Sequence, residues 1–168
     1  MIWPLINGFV DICLLRRSPA DLPASQGLAV VTTGVYLLLD LIAGRIVSPA
    51  HFPTQSLVSL LLSLLALTII LRLAGMGARF TQTWTAFTGC GALIYLVVLP
   101  LHLSIPHTTE ATPVDPLTGI AFLFLLAWSF VVEAHIFRHA LNVTFTAGFA
   151  LATLTFALLA VIRALIFP

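Results

Sequence analysis

The chain has 168 residues, of which 60% are apolar and 8% charged, and its net charge is +1 at neutral pH. Seven Arg and six acids cannot solvate a globular surface of this size, and the apolar residues fall in long charge-poor runs. A water-soluble domain and a nucleic-acid-binding surface are therefore excluded, and an all-α polytopic membrane protein remains, a bundle of about five transmembrane helices.

The first 27 residues carry their Arg pair, Arg16 and Arg17, after the apolar stretch rather than before it, so they do not read as a cleavable leader. At 100° per residue, Ile2, Leu5, Ile6, Phe9, Val10 and Cys13 share one face and Asn7, Gly8 and Asp11 the other. This predicts an amphipathic interfacial helix, with Trp3 and the Arg pair at headgroup level. Pro19 and Pro23 then separate this N-terminal segment (1–27) from a single transmembrane domain (28–168).

A run of about 20 apolar residues spans the hydrocarbon core as a helix, and five runs qualify: 28–47, 56–74, 82–103, 117–137 and 143–166. The first holds Asp40. The second carries Ser56, Ser59 and Ser63, the third Thr81, Thr85 and Gly89, and the fifth Thr144, Gly148 and Ala152. In lipid such stripes let backbones approach and hydroxyls bond across helix contacts, so they predict packing faces. Pro100 removes a backbone bond near the end of the third span and predicts a kink there. The fourth span holds Glu133, His135 and His139.

All basic residues are Arg. With the N-terminus cytoplasmic, Arg16, Arg17, Arg72, Arg79 and Arg138 lie inside and Arg45 and Arg163 outside, as the positive-inside rule requires. The C-terminus is then external, as is the longest loop, 104–116, with Glu110 and Asp115. The triplet Asn142-Val143-Thr144 falls on the cytoplasmic side, where a glycosylation acceptor has no meaning. Cys13 and Cys90 lack the spacing of a metal or redox motif and read as packing residues on different levels, without a disulfide.

Intramembrane acids are functional candidates by default. At 1.5 Å per residue, Asp40 lies about 18 Å and Glu133 about 6 Å from the inner ends of their helices, too far apart for one acid/base dyad. Arg72 and Arg79 stand at a depth that suits an ion pair with Glu133. Ser63 and Tyr95 fall near the level of Asp40 and are expected to hydrogen-bond it. His135 and His139, four apart, have a chelating spacing; His51, His102 and His107 are expected on the opposite membrane face, so a cation cluster beside Arg138 fits better than a metal site. No phosphate loop, catalytic constellation or cofactor motif is present.

At the second inner loop the chain reads Gly75-Met-Gly77-Ala-Arg79-Phe80-Thr81-Gln82-Thr83, leading into a small-residue helix that reaches Leu99-Pro100. Together with Val10-Asp11-Ile12 through Ser18-Pro19, and with Trp128 through Arg138-His139-Ala140, this resembles the Yip family of five-span, Ypt-interacting-type membrane proteins. Arg79 between the loop glycines and Phe80 lengthens that family's usual spacing by one residue. The resemblance implies a cytoplasmic N-terminus and a non-enzymatic protein that interacts with or organises membrane components. Its partners would be membrane lipids, another membrane protein or a second copy of the chain. The short N-terminal region points away from the Rab-type GTPases that eukaryotic members bind, and the Arg-only, short-loop economy points to a bacterial inner membrane. The competing expectation is a small transporter or channel with Asp40, and Glu133 as a secondary candidate, as intramembrane proton or cation sites.

Overall fold

The structure, a computed structural model, describes residues 2–47, 52–104 and 115–167. Within these residues there are six α-helices: α1 Ile2–Cys13, α2 Gln26–Val47, α3 Phe52–Leu73, α4 Phe80–Ser104, α5 Pro116–Leu141 and α6 Phe145–Ile166. The five from α2 to α6 are long and apolar enough to cross a membrane, so the chain is an all-α, multi-pass integral membrane protein.

Local chemistry sets the helix ends. α1 stops at Leu15, which takes a left-handed φ of 61° and lets the Arg16 N–H return to the Asp11 carbonyl at 2.8 Å. A capping box follows: Ser18 Oγ accepts from the Ala20 N–H, and Asp21 accepts from the Ser18 N–H, around a short 3₁₀ turn, Pro19–Asp21. The Ser25 hydroxyl accepts from the Leu28 N–H, so α2 begins two residues before the apolar run itself. α3 ends on Gly75, whose φ of 71° allows the Met76 N–H to reach the Leu71 carbonyl at 2.8 Å. Asp115 caps α5 and Thr144 caps α6. α4 runs through Pro100 to Ser104, one turn beyond the expected kink. His51, His107 and Glu110 lie outside the described residues.

α4 is the hub, touching α1, α2, α3 and α5, while α6 packs on α5 and α3. The expected interfacial helix departs from its sequence reading. Phe9 and Ile12 are buried, with Leu22, Ala86, Cys90, Val132 and Ile136, in a cluster between α4 and α5. Gly89 and Val132 each stand nine residues from the α1-proximal ends of their helices, so this contact lies about 14 Å into the bundle. The buried face is Gly8, Phe9 and Ile12, whereas Trp3, Ile6, Val10 and Leu14 point outward at 72%, 39%, 38% and 45% exposure. A helix held between protein and lipid is apolar on both sides, so its polar residues do not mark the exposed face.

Two side chains secure the connection that follows α1. Gln82 Nε2 donates to the carbonyls of Ala20 and Leu22, at 3.0 and 2.7 Å. His135 Nε2 lies 2.8 Å from the Arg17 carbonyl. Cys90 Sγ donates to the Phe9 carbonyl at 3.7 Å, and Cys13 packs against the same buried cluster. Both cysteines are free, as expected, but they share one site rather than standing at different depths.

Candidate functional site

The polar residues of the membrane-spanning region collect along the seam between α2 and α4, which run in the same direction. Trp84 Nε1 donates to Thr33 Oγ1 at 2.8 Å, and Thr88 Oγ1 donates to Thr32 Oγ1 at 2.8 Å. One turn further the Tyr36 ring lies over Gly91, where a Cβ would stand 2.7 Å from Cε2. Tyr36 meets Tyr95 edge to face, with ring centroids 5.4 Å apart, and the Tyr95 hydroxyl donates to Asp40 Oδ1. Thr33, Tyr36 and Asp40 on one helix, and Trp84, Thr88, Gly91 and Tyr95 on the other, follow helical spacing and form a continuous stripe. Interhelical bonds of this kind contribute about 0.6 kcal/mol each in lipid, so the seam fixes register more than it adds stability.

Asp40 is thus a satisfied carboxyl in a helix contact. Tyr95 is its partner, as the depth argument anticipated. Ser63 is not: among the described residues it makes no hydrogen bond, and α3 touches α4 only lightly. Asp40→Asn keeps an acceptor for Tyr95 and is expected to leave the thermal midpoint in detergent unchanged. Asp40→Leu strands the buried phenol and is expected to cost about 1–3 kcal/mol. Equal midpoints for the Asn and Leu variants would contradict this assignment.

Glu133 is half-buried on α5 and makes no hydrogen bond or ion pair among the described residues. The expected pair with Arg79 does not form. Arg79 Nη1 instead donates to the His139 and Ala140 carbonyls, at 3.1 and 3.0 Å, and to Asn142 Oδ1 at 3.1 Å. A guanidinium at the carbonyl end of a helix meets several acceptors at once and the negative end of the dipole, which outcompetes one carboxylate deeper in the bundle. Arg72 does not pair with Glu133 either.

His135 and His139 do come together, with ring centroids 4.5 Å apart. The bond between His135 and the Arg17 carbonyl occupies one nitrogen, and no group of three His, Cys, Asp or Glu with metal-binding geometry is present among the described residues. His102 packs edge-on against Phe122.

The packing stripes have distinct uses. Gly148 and Ala152 are buried against α5, and Thr144 is the α6 cap. Thr85 is buried and bonds the Thr81 carbonyl of its own helix. Gly89 seats the Phe9 ring of α1 instead of a second spanning helix. Asn142 and Thr144 of the apparent glycosylation triplet are a bond acceptor for Arg79 and a helix cap. The seam residues Thr32, Thr33, Trp84, Thr88 and Gly91 escape a reading based on small-residue stripes. Their signal is the matched three-and-four spacing of polar and aromatic residues on the first and third spans. No protein-family model, curated protein or solved structure matches this chain.

Proposed function

We propose that this is a non-enzymatic membrane protein of Yip-like type that organises the bilayer around it, with α1 held as a wedge in the cytoplasmic leaflet of a bacterial inner membrane. The observation that carries this reading is that α1 is apolar on two sides, one buried against the bundle and one exposed. One face is fixed to α4 and α5 by Phe9 and Ile12, and the other offers Trp3, Ile6, Val10 and Leu14 to lipid beside Arg16 and Arg17. A helix inserted into one leaflet expands it relative to the other, and its binding is sensitive to curvature. The segments that carry the Yip resemblance support the reading by touching one another: His135 meets the Arg17 carbonyl, and Arg79 donates to the His139 and Ala140 carbonyls. The five-to-two division of Arg supports a cytoplasmic N-terminus.

The test is reconstitution into vesicles containing anionic lipid. The expected result is a smaller vesicle diameter with the intact protein, reversed in a Trp3→Ser/Val10→Ser variant that keeps its helix content. A second reading, proton or cation transfer, is favoured by Glu133, which has no hydrogen bond or ion pair among the described residues, and draws Asp40 in as a second site. Unchanged vesicle size, together with dye-detected proton uptake that Glu133→Gln abolishes, would replace the first reading with the second.

A further inference from the structure

A groove of about 490 Å³ runs between α3 and α4 at the end of the bundle where α1 docks. Its wall is formed by Leu64, Thr68 and Phe80 over the buried Leu71, and its mouth carries Arg72, Gly77 and Thr81. Leu64 and Arg72 are eight residues apart on one helix, so the groove extends about 12 Å from the helix end into the bundle. The shape is that of one chain below one headgroup. Its volume lies in the range of small-ligand sites.

The charges select the headgroup. Arg72 makes no hydrogen bond or ion pair among the described residues, while Arg79, on the same loop, is committed to the end of α5. No acid lines the groove. The Arg72 stem passes Gly77, where an added Cβ would lie 4.0 Å from Arg72 Cγ, so the side chain has room to lie across the mouth. A guanidinium offers two parallel donors to phosphate, and here it stands one residue from the helix end, at headgroup level.

We propose that this groove is a binding site for one anionic phospholipid, with an acyl chain along Leu64 and Phe80 and the phosphate on Arg72. The site goes beyond the membrane-organising role and does not depend on α1 acting as a wedge.

The test is native mass spectrometry of the full chain in mild detergent, with equal phosphatidylglycerol and phosphatidylcholine added. The wild type is expected to retain one phosphatidylglycerol in preference to phosphatidylcholine. Arg72→Gln lowers that preference about fivefold, whereas Arg45→Gln, at the other end of the bundle, leaves it unchanged. Leu64→Trp fills the groove and is expected to reduce retention with Arg72 intact. Excess inorganic phosphate is expected not to displace the lipid. Equal retention of the two lipids overturns the site. So does a preference that survives both Arg72→Gln and Leu64→Trp, or displacement by phosphate alone.

Discussion

Gly148→Leu is expected to leave little folded protein in detergent, and even Gly148→Ala is expected to lower stability by about 1–3 kcal/mol. A Cβ at this position would stand 2.5 Å from the Ala134 carbonyl oxygen and 3.1 Å from the Arg138 nitrogen. Both are backbone atoms of α5, so no rotamer change relieves the contact and the two helices must separate. Separation would loosen the buried cluster of Leu67, Leu71, Trp84, Phe137, Ala140, Leu141 and Ala152, which joins α3, α4, α5 and α6. Thermal unfolding monitored by circular dichroism measures this. A Gly148→Ala midpoint equal to the wild type would mean that α5 and α6 do not meet at Gly148.

Phe9→Ala is expected to free α1 while leaving the five spanning helices folded. Its ring fills the notch at Gly89, and an emptied aromatic site of this kind costs about 3 kcal/mol. Undocking exposes Cys13, so its reaction with a maleimide should quicken about a hundredfold. Gly89→Ala should act in the same direction by displacing the ring. Combined with Phe9→Ala it should add little, because the clash disappears with the ring. Independent, fully additive effects would separate Phe9 from Gly89.

The five spans are legible in the sequence because crossing a bilayer is a demand on length and composition, which a single chain displays directly. Directions around a helix are not. Depth arguments placed Ser63 and Tyr95 level with Asp40, yet only Tyr95 faces it, since rotation about each helix axis is set by packing partners the sequence does not name. For Arg79 the competition was missed: the open carbonyls at the end of α5 stand nearer the helix end than Glu133 and are more numerous. The rotation of α1 has the same origin. Ile6 and Val10 are as apolar as Phe9 and Ile12, and nothing in hydrophobicity alone distinguishes a face that meets protein from one that meets lipid. Gly91 shows the reverse case, where a glycine outside any small-residue stripe is explained by a single aromatic ring from α2.

Docking of α1 between α4 and α5 is the central claim, and oxidative cross-linking of the two native cysteines in membranes tests it most directly. Cys90 bonds the carbonyl one helical turn before Cys13, and the two residues pack in one cluster. Copper phenanthroline is expected to give an intramolecular disulfide, seen as a faster-migrating monomer on a non-reducing gel and lost in Cys13→Ser and Cys90→Ser. Absence of that species, with Cys13 alkylated by a membrane-impermeant maleimide at the rate of a surface thiol, would contradict the docking of α1.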